Sequence, residues 1–239
     1  MRILVTNDDG ICADSLECVV QWAKKYGEVE IFAPRVEQSA KSHAVELYKP
    51  FEVKPVERTD GIIAYSVDST PADCVRIAVL GMKRKYDLVI SGINKGFNIG
   101  LDILYSGTVS AALEAAMLGI RSIALSSYPG LHKDAMRHMD RVYGYICDHE
   151  LFEANLSYNV NIPEEGGRIR ITRQGGAFYS DDFAPLDENH DMYMPKGKCV
   201  YEYSADHTLD TDTVLHDKCI SIMPLTYCST ALDVYEKLK

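Results

Sequence analysis

Short apolar runs alternate with stretches of helical periodicity along the first 160 residues or so, and this alternation constrains the possible fold most. Residues 2–6 form one such run, residues 14–26 carry an amphipathic helical pattern that Gly27 ends, and residues 28–33 form the next run, which Pro34 closes. Strand, helix and strand in this order are typical of parallel strands, which require a long crossover connection. The sequence therefore predicts an α/β fold with a parallel sheet.

The later segments continue this order. We predict helices over residues 71–83, 108–118 and 134–152, and buried strands over residues 87–90 and 122–126. Residues 46–67 differ, because alternating side chains are interrupted there by Pro50, Pro55 and the turn Asp60-Gly61. Turn residues at these intervals predict hairpins inserted beside the main sheet.

The character of the sequence changes again after Pro163. Alternating residues at 192–193 and 200–203 stand on either side of Lys196-Gly197-Lys198. This pattern predicts a projecting hairpin with its turn at the lysines. Because exposed aromatic residues on an isolated hairpin give little stability, we expect a partner subunit to cover it.

Composition limits the classes of partner. The 239 residues include 35 acidic and 25 basic ones, and a net charge of −10 argues against broad binding to nucleic acids or anionic membranes. No apolar run reaches the length of a signal peptide core or a membrane span. The seven cysteines are scattered without C-x-x-C spacing, so we expect reduced thiols and a cytoplasmic location.

Three polar blocks each follow a predicted strand or its loop and together offer only oxygen ligands. The blocks are Thr6-Asn7-Asp8-Asp9-Gly10, Gln38-Ser39 and Ser91-Gly92-Ile93-Asn94. Because the carboxyl ends of parallel strands meet at one crevice, Asp8, Asp9, Ser39 and Asn94 are candidate ligands of one hard cation, Mg²⁺ or Mn²⁺. Zinc would usually recruit histidine or thiolate. The alternative is that each block is an ordinary turn or loop.

A second group of residues is suited to an anion. Glycines surround Asn98, and Tyr105-Ser106-Gly107-Thr108 precedes a helix rich in small residues. The Asn98 amide, the hydroxyls of Ser106 and Thr108 and the first amides of the helix predict a phosphate cradle, with ordinary helix capping as the alternative. The chain has no G-x-x-x-x-G-K-[ST] motif and no G-x-G-x-x-G after the first strand, which disfavours NTPases and dinucleotide enzymes.

Several of these blocks together resemble a known family, the stationary-phase survival protein SurE family. The resemblance rests on Val5-Thr6-Asn7-Asp8-Asp9-Gly10, Ala33-Pro34-Arg35 with Gln38-Ser39, Thr70-Pro71-Ala72-Asp73-Cys74-Val75, Ser91-Gly92-Ile93-Asn94 and Tyr105-Ser106-Gly107-Thr108. It implies one domain over residues 1–239 with a Rossmann-like, three-layer, mostly parallel sheet. Residues 1–163 would be the core that carries the site. Residues 164–239 would form a β-hairpin arm and a C-terminal helix exchanged between subunits of a homodimer or homotetramer.

The resemblance also implies an activity. A member of this family would be a divalent-metal-dependent phosphomonoesterase acting on nucleoside 5′-monophosphates and 3′-monophosphates. By position, Asp8, Asp9, Ser39 and Asn94 would hold one Mg²⁺ or Mn²⁺ per subunit. As a mechanistic hypothesis of our own, Asp8 or Asp9 accepts the proton of the attacking water. Asn98, Ser106, Gly107 and Thr108 would surround the phosphate. The chain departs from the family where Ala40 replaces a usual glycine and where Asp14-Ser15 replaces Pro-Gly.

Other classes of function remain open on the sequence. A phospho-acceptor signalling domain also uses an acidic pair after its first strand, but it needs a third aspartate where this chain has Ser91 and Asn94. A phosphatase of the haloacid dehalogenase type needs D-x-D, whereas Asp8 and Asp9 are adjacent. A non-catalytic nucleotide-binding module would bind a nucleotide with metal and release no phosphate.

Overall fold

A computed structural model describes residues 1–187 and 191–239. The strands are β1 (Arg2–Thr6), β2 (Glu28–Pro34), β3 (Val53–Val56), β4 (Ile63–Val67), β5 (Leu88–Lys95), β6 (Arg121–Ser127), β7 (Ser157–Ile162), β8 (Ile169–Ile171), β9 (Tyr179–Ser180), β10 (Phe183–Pro185), β11 (Tyr193–Pro195), β12 (Lys198–Cys199) and β13 (Ile220–Pro224). The α-helices are α1 (Asp14–Ala23), α2 (Pro71–Arg76), α3 (Gly107–Met117), α4 (His132–Met136), α5 (Met139–Asp148), α6 (Leu151–Ala154) and α7 (Leu232–Leu238). A 3₁₀ helix covers Gly100–Tyr105, and π-helical turns cover Ile77–Gly81 and Asp212–His216.

Nine strands form the main sheet, in the order β3-β4-β2-β1-β5-β6-β7-β13-β8. The strands from β4 to β7 in this order all pair in parallel, whereas β3 pairs antiparallel with β4 at one side and β13 pairs antiparallel with β7 at the other. The chain leaves β1 toward β2 and β4 and then returns to β5 on the other side of β1. Such a reversal of strand order opens a crevice at the carboxyl ends of β1 and β5, where α/β proteins bind ligands.

Helices cover both faces of the sheet, so the predicted α/β architecture is confirmed. One apolar cluster joins the sheet to α1, α4 and α5, with Val19, Ile90 and Ile146 fully buried in it. A second cluster joins the opposite face to α2 and α3, with Phe32 and Val75 at its centre. These two cores hold the carboxyl ends of β1 and β5 at fixed positions between the helix layers.

Most of the predicted core elements are present, but three differ in extent. The hairpin strands β3 and β4 extend the main sheet itself, because β4 pairs in parallel with β2. Strand β5 continues past Ile90 to Lys95 through a register shift between Ser91 and Asn94. The predicted helix 134–152 is three helices. Asp140 accepts hydrogen bonds from Trp22, Lys25 and Tyr26. Glu150, between α5 and α6, has a φ of 50°, which a continuous α-helix does not allow.

The arm is a hairpin, but its turn is not at Lys196-Gly197-Lys198 as predicted. Strand β9 pairs with β12, and β10 pairs with β11, so residues 179–185 run antiparallel to residues 193–199 and the lysines lie within the returning half. The Lys196 amide donates to Asp182 O at 2.6 Å, which sets this register. Residues 200–203 form no strand. Exchange of the arm between subunits stays a prediction.

The base of the arm is fastened to the core by Asp210. This fully buried carboxylate accepts hydrogen bonds from the amides of Gly100 at 3.1 Å and Gly175 at 2.7 Å. Gln174 adds a bond from its side chain to Gly100 O at 2.8 Å. Among the described helices, none is both long and apolar enough to cross a lipid bilayer.

Candidate active site

The candidate site is centred on Asp8, which follows β1 at the crevice. The side chain of Asp8 is nearly buried, with 4% of its surface exposed. Thr6, the last residue of β1, is paired with Ser91 of β5, so the loop after β1 begins beside the segment that leads to Asn94. The Asn7 side-chain nitrogen donates to Gly10 O, and its side-chain oxygen accepts from the Gly10 amide. These two bonds close the tight turn that contains Asp8 and Asp9.

The beginning of α3 holds the Asp8 carboxylate. The hydroxyl of Thr108 donates to Asp8 Oδ1 at 2.6 Å, and the amide of Thr108 donates to Oδ2 at 3.2 Å. A Cβ atom on Gly107 would lie 3.0 Å from Asp8 Cβ and 3.1 Å from Pro71 Cγ, so glycine allows this close approach. Because helix N-termini favour negative charge, α3 helps to keep an anion at this position.

The environment of Asp8 disfavours its charge nevertheless. Burial raises the pKa of Asp8 from 3.8 to about 6, although hydrogen bonds from Thr108 lower it, and the neighbouring charge of Asp9 raises it further. A carboxylate in this situation gains stability from a nearby cation or a proton. The pair of acids therefore has the electrostatic character of a cation site.

Asp9 is held differently from Asp8. Ser15 donates to Asp9 Oδ2 at 3.1 Å, and the ammonium group of Lys95 lies 3.7 Å from Asp9 Oδ1. Asp9 is not among the residues that line the crevice, whereas Lys95 is. Ser15 thus fixes one oxygen of the second acid.

Most of the predicted site residues meet at one cavity of about 460 Å³ at the carboxyl edge of the sheet. Asp8, Ser39, Asn94, Asn98 and Ser106 line one part of it. The cavity is completed by Ala40, Lys95, Phe97, Asp102, Tyr105, Tyr179, Asp181, Phe183 and Pro195. Gly107 and Thr108 do not line the cavity, but each contacts Asp8.

Ser39 and Asn94 contribute neutral oxygen atoms to this cavity. The Ser39 hydroxyl donates to Glu37 Oε1 at 2.7 Å on the exposed side of its loop. The amide nitrogen of Asn94 donates to Gly96 O at 2.9 Å, so the amide oxygen is the atom that could bind a cation. Hydroxyl and amide oxygens are ordinary ligands for magnesium and manganese.

Asn98 is the most firmly placed of the predicted phosphate residues. Its backbone amide donates to Asn161 Oδ1 at 2.9 Å, and its backbone carbonyl accepts bonds from the side chains of Asn159 and Asn161. Its own side-chain nitrogen donates to Ser126 Oγ at 2.8 Å. Two asparagines of β7 thus fix the backbone of Asn98, a role that the sequence analysis did not anticipate.

The predicted cradle of free donors at the start of α3 is largely engaged within the protein. Ser106 caps the helix by accepting a bond from the Val109 amide at 3.0 Å, and Thr108 uses both its amide and its hydroxyl on Asp8. Helix capping and support of Asp8 therefore account for donors that the sequence suggested for phosphate.

The donor chemistry fits a hard divalent cation. Within the described part of the chain, no group of three or more His, Cys, Asp and Glu side chains could hold a metal ion. The acids at the cavity are instead supplemented by the neutral oxygens of Ser39 and Asn94. Oxygen ligands with few carboxylates suit Mg²⁺ or Mn²⁺, which are usually bound together with water and phosphate.

Sequence reasoning missed the part of the cavity wall formed by the arm. Tyr179, Asp181, Phe183 and Pro195 line the cavity although they lie far along the chain from the other lining residues. The alternating pattern indicated a hairpin, but no local signal showed where that hairpin would pack. Asp102 is also part of this wall, and burial together with the charge of Asp181 raises its pKa.

Comparisons with known proteins agree with this architecture. A family model described as survival protein SurE matches residues 3–181. A protein named 5′-nucleotidase SurE from Alkaliphilus metalliredigens is 38% identical over 250 residues, which cover 100% of this chain and 98% of that protein. A protein of the same name from Caldanaerobacter subterraneus is 37% identical over 253 residues, which cover 99% of this chain and 95% of that protein.

A solved structure extends the similarity to three dimensions. The crystal structure of the SurE protein from Aquifex aeolicus superposes with a TM-score of 0.83 at 28% identity, and the match covers 100% of this chain and 98% of that one. The similarity therefore includes the arm and the C-terminal segment as well as the core. Because the family model matches most of the chain and the relatives match nearly all of it, the chain belongs to the SurE family.

Proposed function

We propose that this chain is a divalent-metal-dependent phosphomonoesterase, a 5′-nucleotidase that also accepts nucleoside 3′-monophosphates. The observation that carries the proposal is the buried carboxylate of Asp8, held by Thr108 in the cavity that Ser39, Asn94 and Asn98 also line. Relatives that match nearly the whole chain bear the name 5′-nucleotidase SurE, which supports the same activity.

We assign the cation to Asp8, Asp9, Ser39 and Asn94, with one Mg²⁺ or Mn²⁺ per subunit. When bound, such an ion lowers the pKa of water and neutralises charge on the phosphoryl group. Support comes from the unfavourable charge of Asp8, which lies beside Asp9 at a buried position. The oxygen-only donor set gives the same indication.

In the proposed reaction, a water oxygen forms a bond to phosphorus while the bond from phosphorus to the nucleoside oxygen breaks. Asp8 or Asp9 accepts the proton that the water loses, and the departing oxygen takes a proton from solvent. In the metal-free protein, burial raises the pKa of Asp8 to about 6, and a bound cation would lower it again. Thr108 keeps this carboxylate oriented, since it binds both oxygens.

The phosphate group would lie in the cavity beside Asp8, near the beginning of α3. Asn98 and Ser106 line the cavity there, and Gly107 and Thr108 form the adjacent turn of backbone. Asn159 and Asn161 fix the backbone of Asn98, and Ser126 holds its side chain, so the amide needs little reorganisation to face a phosphoryl oxygen. One preorganised donor of this kind stabilises developing charge by about 3–4 kcal/mol.

The nucleoside would occupy the arm side of the cavity. Tyr105, Tyr179 and Phe183 expose about half of their surfaces, at 56%, 46% and 62%, and all three line the cavity. Aromatic faces bind nucleobases by stacking with little dependence on the base. A volume of about 460 Å³ lies within the usual range for sites that hold small molecules.

We further propose the domain division, assembly and location suggested by the sequence. Residues 1–163 would be the site-bearing core, and residues 164–239 would be an arm and oligomerisation segment of a homodimer or homotetramer. Exposed apolar residues of the arm and of α7, such as Met192 and Leu238, support contact with a second subunit. All seven cysteines are free thiols, which supports a cytoplasmic location.

Phosphate release from a panel of nucleoside 5′- and 3′-monophosphates tests the proposed activity. We expect release with Mn²⁺ or Mg²⁺, loss of release with EDTA, and recovery when the metal is restored. Nucleotide binding without release would instead indicate a non-catalytic binding module. A trapped aspartyl phosphate would indicate a phospho-acceptor domain and would contradict direct attack by water.

A further inference from the structure

The loop that carries Ser39 has little structure of its own. No helix or strand forms between Pro34 and Val53, a stretch that the structure describes throughout. Ala40 and Ser42 adopt φ values of 57° and 54°, in the left-handed region that is costly for residues other than glycine. Contacts with the rest of the protein must therefore hold this loop in place.

Two of these contacts flank Ser39 closely. The Gln38 amide donates to Asp8 O at 2.7 Å, which connects the loop directly to the first acid of the candidate site. Beyond Ser39, the Ser42 amide donates to Tyr105 O at 2.9 Å, and the Ser42 hydroxyl donates to Leu104 O at 2.7 Å. Ser39 thus lies on a short, strained turn between two attachment points.

The third contact uses a buried charge outside the candidate site. His43 Nε2 lies 2.9 Å from Oε2 of Glu114, a residue of α3 with only 3% of its surface exposed. Arg76 of α2 donates to the other Glu114 oxygen at 3.0 Å. Burial alone would raise the pKa of Glu114, but the hydrogen bonds from His43 and Arg76 lower it below its ordinary value.

Helix α3 connects this contact to Asp8. Its first turn binds Asp8 through Thr108, and Glu114 lies six residues further along, about 9 Å at 1.5 Å per residue. The same helix therefore fixes Asp8 and, through His43, the loop that is bonded to Asp8 at Gln38. Neither His43 nor Glu114 lines the cavity that contains the candidate ligands.

We infer that the His43–Glu114 hydrogen bond is a positioning contact. It holds the Ser39 turn at the mouth of the cavity and so sets the affinity of the candidate site for the cation. His43 and Glu114 are positioning residues and touch neither substrate nor metal. The inference rests on the proposed function only in treating Ser39 as a cation ligand. Ala40, with a φ of 57°, strains the turn and gives this contact added importance.

The test compares His43→Ala with His43→Gln, because the glutamine amide can still donate to Glu114. Arg76→Met is the matched control, since it removes the other hydrogen bond of Glu114 and leaves the His43–Glu114 contact in place. The first readout is amide hydrogen exchange at Gln38 and Ser42 in the metal-free protein. The second is Mn²⁺ affinity, measured by calorimetry.

We expect His43→Ala to speed exchange at Ser42 by about 10-fold, as for the loss of one hydrogen bond, and to weaken Mn²⁺ binding by a similar factor. His43→Gln should restore both values to within about twofold of the original chain. Arg76→Met should lower the melting temperature while leaving Ser42 exchange and Mn²⁺ affinity nearly unchanged, which a general loss of stability would not do.

Two results would overturn the inference. One is unchanged exchange at Ser42 in His43→Ala, and the other is faster exchange with unaltered Mn²⁺ affinity. Failure of the proposed function has a different signature, because the unaltered chain would then release no phosphate from any nucleotide. The exchange measurement uses the metal-free protein and is independent of that outcome.

Discussion

The floor of the cavity is the part around Asp8, whose two carboxylate oxygens are held by helix α3 of the core. The wall is the part formed by the arm, where Tyr179 and Phe183 belong to strands of two and three residues outside the main sheet. The floor combines elements that are far apart in sequence, and Asp8 within it is almost fully buried. Tyr179 and Phe183 of the wall are close in sequence, and each exposes about half of its surface. A phosphoryl group needs precise placement, which the rigid floor provides. The nucleoside attached to it varies, and the exposed wall is suited to that variation.

The largest expected effect concerns the floor. We expect Asp8→Asn and Asp9→Asn each to lower kcat/KM for a nucleoside monophosphate by about 1,000-fold or more, since loss of even one preorganised donor costs about 100-fold to 1,000-fold. The fold should remain intact by circular dichroism. Asp233→Asn, on the exposed helix α7, is the control and should keep full activity. Full activity in both floor variants would break the comparison.

The pH dependence of stability also tests the floor. The folded pKa of Asp8 is about 6, above its unfolded value of 3.8, so the folded metal-free protein binds more protons between these values. Its free energy of unfolding should therefore decrease as pH rises from about 4 to 6, by on the order of 2–3 kcal/mol from this group. Chemical denaturation at several pH values measures it.

Asp8→Asn removes this contribution, because an amide does not titrate. We expect the difference in unfolding free energy between the variant and the original chain to shift in favour of the variant as pH rises from 4 to 7. At pH 7, saturating Mn²⁺ should instead stabilise the original chain more than Asp8→Asn, since the ion stabilises the ionised acid. A difference that is constant with pH would mean that Asp8 is not the titrating group.

A smaller effect is expected at the wall. Phe183→Ala should raise KM for AMP by about 10-fold, because base–aromatic stacking contributes about 1–3 kcal/mol. Hydrolysis of glycerol phosphate, which lacks a base, should change little. Met194→Ala, on the exposed arm but not at the cavity, is the matched control. Equal losses with both substrates would show that the arm supports the floor as well.

The smallest effect is expected between the two regions, at Ala40. Because Ala40 has a φ of 57°, Ala40→Gly should relieve strain and raise the free energy of unfolding by about 0.5–1 kcal/mol. Ala44→Gly, in the same loop without a positive φ, should be neutral or destabilising. Thermal unfolding of the two variants separates conformational strain from a general effect of glycine.

Sequence periodicity was sufficient for the part of the fold that surrounds the floor. Strand β1, helix α3 and strand β6 form within one residue of the predicted bounds, because each has clear apolar periodicity and a turn or capping residue at its ends. The long helix predicted over residues 134–152 is divided into three helices. Glu150, between the second and the third, has a φ of 50°, and helical periodicity does not encode such a break.

For the candidate site, residue type and strand ends identified side chains that do meet at one cavity, namely Asp8, Ser39, Asn94, Asn98 and Ser106. Their hydrogen-bond partners were not predictable. That Thr108 serves Asp8, and that Asn161 fixes Asn98, depends on the pairing of distant elements. The arm residues of the wall were missed for the same reason, since local alternation predicts a hairpin but not its packing.

One helix supports three separate attachments, since α3 contacts Asp8 through Thr108, reaches the Ser39 turn through Glu114 and His43, and is capped by Ser106 at the cavity. Substitutions along it should therefore be strongly epistatic, each tolerated only with compensating changes at its neighbours. Residues 179–185 and 193–199 of the arm take no part in these three attachments. Engineering of new substrate ranges is best confined to residues 179–185 and 193–199, with residues 106–114 left as they are.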